Sequence, residues 1–239
     1  MSERERVREL VRGARRIVVF SGAGMSAESG VPTFRDAQTG LWAKFRPEEL
    51  ATEPAFRANP SMVWDWYVSR REAVARVAPN AGHLAIADFQ RRHPGRLTVA
   101  TQNVDGLHQR AGSPGVLALH GNLADDKWLD VPCERCDLAV EAGRPPRCAH
   151  CGNLLRPAVV WFGEALPARV LAEAESAARA CDLMLVVGTS GAVYPAAGLA
   201  RMARGQVVVV NPQASDLDDA ADVVLRDTAA RSLPYLLED

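Results

Sequence analysis

Short runs of Val, Ile and Leu recur along the 239-residue chain, at 17–20, 97–100, 116–119, 158–161, 183–187, 207–210 and 223–225. Most carry no alternating polar residue, which is the pattern of strands buried on both faces of a parallel sheet. Between them the period changes. Val7, Leu10, Val11 and Ala14 fall at i, i+3, i+4 and i+7 among Arg and Glu, so the first sixteen residues predict an amphipathic helix with a charged outer face. Residues 168–179 and 196–204 have helical patterns before and after the 183–187 run. Strands alternating with crossover helices predict an α/β fold with a doubly wound parallel sheet.

Two stretches break this rhythm. From 35 to 78 there is no strand-like run, and Pro47 and Pro60 each open a helical segment, as proline does in a first turn. From 124 to 156 the chain is rich in Pro, Cys and charge. Both read as insertions forming a smaller domain: a helical module at 36–78 and a cysteine-bearing module at 123–156. The sheet domain then comprises 1–35, 79–122 and 157–239.

Composition narrows the class. With 28 basic and 29 acidic residues, 48% hydrophobic and 24% charged, the chain is an ordinary globular one with no basic surplus for a nucleic-acid partner. Folding at this length buries roughly 70–75% of the unfolded surface, so the core needs no disulfides. No apolar run approaches the ~18 residues of a membrane span. Glu3, Glu5 and Glu9 are foreign to an acid-poor targeting peptide. The expectation is a cytoplasmic protein, monomeric and bound to neither nucleic acid nor membrane.

Candidate chemistry sits at the strand ends. The first strand runs into Gly22-Ala23-Gly24-Met25-Ser26-Ala27, a G-x-G-x-x-A pattern. Such glycines let backbone approach a pyrophosphate, while a helix N-terminus supplies N–H groups; the same segment also fits a tight strand-to-helix turn. The acidic residue expected about 20 positions on in a hydride-transfer fold is absent, because that region is the helical insertion. Gln102, Asn103 and Asp105 follow the next strand, three amide or acid groups in four residues. His120 follows another and reads as a general base or a structural imidazole. Gly188-Thr189-Ser190 and Asn211-Pro212 close two more strands with groups suited to phosphate and ribose. Cys133-x-x-Cys136 and Cys148-x-x-Cys151 form two knuckles eleven residues apart, the spacing of a structural Zn²⁺ site with four thiolates and no open position. His150 lies inside the second knuckle without being needed, and Cys181 reads as a small core residue.

Taken together in order, Gly22 to Arg35, Gln102-Asn103-x-Asp105, His120-Gly121, the cysteine pairs, Phe162-Gly163-Glu164 and Gly188-Thr189-Ser190 resemble the sirtuins, the NAD-dependent protein lysine deacylases. The resemblance spans about residues 12–235. It implies a Rossmann-like large domain and a small domain made of zinc and helical modules, with NAD and acyl-lysine meeting between them. By motif, Gly22, Ala23, Gly24, Ser26, Ala27, Phe34 and Arg35 would hold diphosphate and ribose. Gln102, Asn103 and Asp105 would line the nicotinamide and ribose pocket. Gly188, Thr189, Ser190, Asn211, Pro212, Gln213 and Ala229 would lie on the adenosine side. His120 would be the general base and Asn103 its catalytic companion. Val159, Phe162, Gly163, Glu164 and Val193 would flank the substrate peptide, which pairs as an added strand. The implied products are free lysine, nicotinamide and O-acyl-ADP-ribose.

Tyr67 and Arg70 are three apart and share a helical face. With small Ala51 before them, they are similar to the sirtuin branch that removes succinyl and malonyl groups, in which the Arg and Tyr pair binds the distal carboxylate. Without the resemblance Arg70 reads as a surface helix residue. Two other functions remain compatible with the sequence: mono-ADP-ribosyl transfer, and a non-enzymatic NAD-sensing module docking a partner through the zinc ribbon.

Overall fold

A computed structural model describes residues 2–31 and 50–238. The expectations at Phe34, Arg35 and Pro47 lie outside the described residues. Strand β1 (Ile17–Ser21) is buried at every position. It pairs in parallel with β2 (Leu97–Thr101) and β8 (Leu183–Val187), with Ile17 opposite Leu97 and Leu183. With β3 (Leu117–Ala118), β9 (Gln206–Val210) and β10 (Val223–Leu225), the sheet has six strands in the order β10-β9-β8-β1-β2-β3. Every pair in it is parallel. The chain moves outward from β1 through β2 and β3, then returns to β8 beside β1 and moves the other way. Open α/β sheets hold ligands in the crevice at such a reversal, beyond the carboxyl ends of the strands.

Successive strand side chains face opposite sides. Ile17 and Val19 enter one core with Val7, Val11, Ile86, Phe89 and Leu233. Val18 and Phe20 enter another with Ala174, Ala178, Met184 and Leu199. The first core is covered by α1 (Glu3–Gly13), α5 (Ala81–Arg92) and α9 (Ala229–Leu236), and the second by α7 (Ala168–Ala180) and α8 (Gly198–Met202). Helix α1 starts where the pattern predicts because Ser2 and Glu5 form a capping box. The helix expected over 196–204 is only five residues long.

A third core joins Leu50, Ala51, Phe56, Val63, Trp66, Tyr67, Leu123, Val159 and Trp161. It draws on α3 (Glu53–Ala58) and α4 (Pro60–Ala75), whose first turn holds the expected Pro60 and is capped by the Asn59 side chain on the Met62 N–H. Strand β4 (Gly121–Trp128) pairs antiparallel with β7 (Leu155–Val159), with a register irregularity between Gly121 and Asp126. This corrects the sequence reading of 158–161 as a possible strand of the parallel sheet. That run is apolar because Val159 and Trp161 enter the third core, while the strand joins β4 outside the main sheet. A small ladder of β5 (Val140–Glu141) and β6 (Arg147–Cys148) carries the second cysteine knuckle. No described helix is long and apolar enough to cross a membrane.

Candidate active site

Beyond β1 the chain turns through Gly22-Ala23-Gly24 into α2 (Gly24–Ala27), a single turn. A Cβ on Gly22 would stand 2.7 Å from Thr189 Cβ, and one on Gly24 would stand 2.8 Å from Gly188 Cα. Gly188 itself has φ +60°, and a Cβ there would meet the Met25 nitrogen at 2.3 Å. The glycines therefore let the ends of β1 and β8 close backbone to backbone across the reversal. Of the N–H groups expected at this helix N-terminus, those of Gly24, Met25 and Ser26 donate to the carbonyls of Gly188, Gly22 and Ala23. Ala23 is half-buried and Ala27 exposed beside it.

The polar groups after β2 are locked to this loop. Asn103 Nδ2 donates to the Gly22 carbonyl at 3.0 Å and to Ser26 Oγ at 3.1 Å. A carbonyl can only accept, so the amide orientation is fixed and Asn103 Oδ1 remains for a ligand. Ser26 Oγ donates to Asp105 Oδ2 at 2.7 Å, and Leu107 N–H donates to Asp105 Oδ1 at 2.8 Å. Burial raises the Asp105 pKa, and these hydrogen bonds oppose the rise. Gln102 Nε2 donates to Thr189 Oγ1 at 3.0 Å and Asn211 Nδ2 to the Thr189 carbonyl at 3.3 Å, tying β2, β8 and β9 together.

His120 Nδ1 lies 2.9 Å from the Gln102 carbonyl. That acceptor requires Nδ1 to carry hydrogen, so the neutral ring presents its lone pair at Nε2. Burial lowers the His120 pKa below 6.5, against the raising effect of the Gln102 carbonyl. A neutral imidazole held in one tautomer is suited to accept a proton. A separate cavity of about 990 Å³, lined partly by Arg16, Arg179 and Arg204, opens beside Asp182 and Gln206 at the amino ends of the strands, away from this chemistry.

Beneath the polar layer lie two histidines to which the sequence reading gave no role. His83 and His108 are 0% and 1% exposed, with ring centroids 4.8 Å apart. His83 Nδ1 accepts the Asn80 N–H at 3.3 Å, so its hydrogen is on Nε2, facing Ser26 Oγ at 3.4 Å. His108 Nε2 contacts Ser21 Oγ at 2.9 Å, while its Nδ1 has no partner. The one sequence cue for His83 is its place among the apolar residues of α5, and the short Leu107–Arg110 turn that carries His108 offers none.

On the other side of the crevice, Ala51, Tyr67 and Val159 share the third core. Trp161 Nε1 donates to the Tyr67 hydroxyl at 2.9 Å. Burial raises the Tyr67 pKa to about 12, so the phenol stays neutral. The Arg70 guanidinium lies 5.1 Å from the Trp66 ring. Phe162 and Val193 are exposed, at 45% and 40%, and Gly163 has φ +89°. The Glu164 carboxylate is engaged inward by Arg156 and by the Trp161 N–H, with Lys127 Nζ at 3.8 Å. Its oxygens are thereby committed within the protein. Ser190 accepts the Asp216 N–H at 2.9 Å through its carbonyl. Pro212 and Gln213 are exposed, whereas Ala229 is packed in the first core with its carbonyl against Gly82.

The sulfur atoms of Cys133, Cys136, Cys148 and Cys151 lie within 4.8 Å of one another. Neighbouring pairs are 3.5, 3.6 and 3.9 Å apart. A tetrahedron with Zn–S bonds of about 2.3 Å has edges of about 3.8 Å, so four thiolates at these spacings fit one structural zinc. The Cys133 and His150 N–H groups point at Cys136 and Cys148 sulfurs, at 3.2 and 3.4 Å. His150 contributes that amide and its ring is not among the clustered ligands.

Comparison with known proteins agrees with this geometry. The model of the Sir2 family matches residues 22–195. An NAD-dependent protein deacylase of Ralstonia nicotianae is 58% identical over 234 residues, covering 96% of this chain and 94% of its own. One from Deinococcus radiodurans is 47% identical over 241 residues, covering 97% of each. Among solved structures, a Sir2 homologue in complex with NAD superposes with TM-score 0.88 at 41% identity, covering 98% of this chain and 92% of that one. A Sir2 complex with deacetylated p53 peptide and 3′-O-acetyl ADP ribose gives 0.83 at 30% identity, covering 99% and 98%. The chain belongs to the Sir2 family of NAD-dependent protein deacylases.

Proposed function

We propose that this deacylase removes succinyl and malonyl groups as well as acetyl from protein lysines, releasing nicotinamide and O-acyl-ADP-ribose. One observation carries the acyl reading. Tyr67 and Arg70, a turn apart on α4, are two hydrogen-bond donors with no acceptor among the described residues. The Tyr67 oxygen accepts the Trp161 N–H, and its own hydrogen has no acceptor among the described residues. Arg70 is half-buried, its charge penalised by desolvation, with an aromatic ring rather than a carboxylate beside it. Burying a guanidinium without an anion is costly, and an acyl chain ending in a carboxylate supplies one. Small Ala51, in the same core, leaves volume for such a chain.

The reacting groups divide the work. When bound, NAD supplies an electrophilic ribose carbon and nicotinamide as leaving group. Asn103 Oδ1, fixed by the two bonds from its Nδ2, is the acceptor available to orient a ribose hydroxyl or a water. His120 Nε2 takes a proton from a ribose hydroxyl, and its bond to the Gln102 carbonyl stabilises the imidazolium that forms. Support for the product class comes from a Sir2 homologue in complex with 2′-O-acetyl ADP ribose, TM-score 0.85 and 40% identical.

The test pairs acetyl- and succinyl-lysine peptides of one sequence with NAD and follows products by mass spectrometry. A charge-assisted hydrogen bond contributes about 1.5–3 kcal/mol, so Arg70→Met is expected to lower succinyl relative to acetyl turnover by roughly 10–150-fold. Equal losses for both acyl groups would remove the carboxylate role. Nicotinamide release without deacylation would favour ADP-ribosyl transfer instead.

A further inference from the structure

The Tyr67 hydroxyl can serve a carboxylate only if its hydrogen points outward. An indole N–H is a donor and nothing else, whereas a phenol oxygen can donate or accept. Trp161 Nε1, 2.9 Å from the Tyr67 oxygen, therefore occupies an acceptor site on that oxygen and leaves its single hydrogen for another partner. Were the position filled by an acceptor, the hydrogen would be consumed inside the protein.

The indole is held in this role from several directions. Trp161 is 1% exposed. The Arg156 guanidinium carbon lies 3.2 Å from its ring centroid, and Phe56 packs with centroids 5.2 Å apart at 40°. Arg156 is itself fixed: it pairs with Glu164 through both terminal nitrogens, and Nη2 also donates to the Val159 carbonyl at 2.7 Å. Glu164 Oε2 accepts the Trp161 backbone N–H at 2.9 Å. The ion pair, buried on its Arg156 side and half-buried at Glu164, thus grips both the ring and the backbone of one tryptophan. A buried charge pair of this kind is weak evidence for added stability, and its attested use is to specify one conformation.

We propose that Trp161, clamped by Arg156 and Glu164, is a positioning residue for acyl specificity: its indole N–H commits the Tyr67 hydroxyl to donate toward an acyl group ending in a carboxylate. The inference rests on the reading of Tyr67 and Arg70 as the carboxylate site. An acetyl group has no distal acceptor, so the effect appears in the succinyl-to-acetyl ratio and not in turnover generally.

The experiment measures kcat/KM for paired succinyl- and acetyl-lysine peptides with wild type, Trp161→Phe, Tyr67→Phe and the double variant, all zinc-loaded. Trp161→Phe keeps an aromatic ring beside Arg156 and Phe56 but deletes the N–H. Its succinyl-to-acetyl ratio is expected to fall about 3–10-fold, mostly through the succinyl KM. In the Tyr67→Phe background, the same change should leave the ratio within about twofold, because no hydroxyl remains to orient. An unchanged ratio in Trp161→Phe, or equal falls in both backgrounds, would overturn the inference. If Trp161→Phe does not fold, a benzothienyl analogue of Trp161, with sulfur in place of N–H at nearly constant shape, carries the same comparison. Failure of the underlying reading looks different: succinyl-lysine would then be left intact by the wild type, or Arg70→Met would not shift its ratio.

Discussion

Acidification from pH 7 to pH 5 should destabilise this protein steeply, and His83 and His108 set the size of the effect. Burial pushes the His83 pKa down to about 4. Burial, and then the neighbouring His83, push His108 down to about 3. In the unfolded chain both return to about 6.5. A depressed folded value means that the unfolded state binds protons first, so the stabilising contribution is complete above pH 6.5 and drains as pH falls toward the folded values. Each ring then loses about 2 kcal/mol between pH 7 and pH 5, or about 4 kcal/mol for the pair. Against a typical total of 5–15 kcal/mol, that is a large share. The limiting slope is about 2.7 kcal/mol per pH unit, two protons' worth.

Urea titrations at pH 7, 6 and 5, followed by tryptophan fluorescence, measure this directly. The comparison is with a His83→Gln/His108→Gln variant, which retains a nitrogen donor near Ser26 and Ser21 but cannot titrate. The variant should be less stable at pH 7, yet show a pH dependence flatter by about 4 kcal/mol across the range. Proton competition for the zinc thiolates has the same sign, but both proteins carry it equally. Parallel curves for the two proteins would refute the assignment of acid sensitivity to the buried pair.

Two further outcomes follow from the site. His120→Ala should lower deacylation kcat/KM by roughly 10²–10⁴-fold, and the acid limb of the wild-type profile should fall below pH 6.5, since burial lowers the base; a profile centred above that value would contradict the buried, carbonyl-bonded ring. Metal analysis should give one zinc per chain, and chelation should abolish activity and lower Tm, because four thiolates gathered within 4.8 Å need a cation to stay together; full activity after complete zinc removal would contradict a structural role.

Much of the fold was legible because burial on both faces leaves no ambiguity of pattern. Ile17–Ser21 and Leu183–Val187 are buried throughout, and such runs read as central strands without alternation. β4 escaped notice for the converse reason. Only Leu123 of its eight residues is buried, and residues 124–127 are exposed, so no period of two exists to be read. The same logic explains the error at 158–161. Hydrophobicity records that a segment is buried but not against which core, and Val159 and Trp161 serve the third core instead of the sheet.

In the site, what chemistry demands by residue type could be read, and what orientation demands could not. Four cysteines at knuckle spacing have few other uses, and glycines at a strand end reflect backbone contact that a side chain would block, as at Gly188. The direction of a single hydrogen leaves no such mark. Asn103 is a useful acceptor because both hydrogens of its amide nitrogen are taken, by Gly22 and Ser26. His120 presents the lone pair of Nε2 because the Gln102 carbonyl claims its other nitrogen. The Tyr67 oxygen accepts the Trp161 N–H, and among the described residues its hydrogen has no acceptor. In each case a group that can only donate or only accept decides the state of one that could do either. The carbonyls involved are backbone, identical in every residue, and the indole lies 94 positions away in sequence. Such constraints belong to the folded contact and not to the local pattern, so only the structure reveals them.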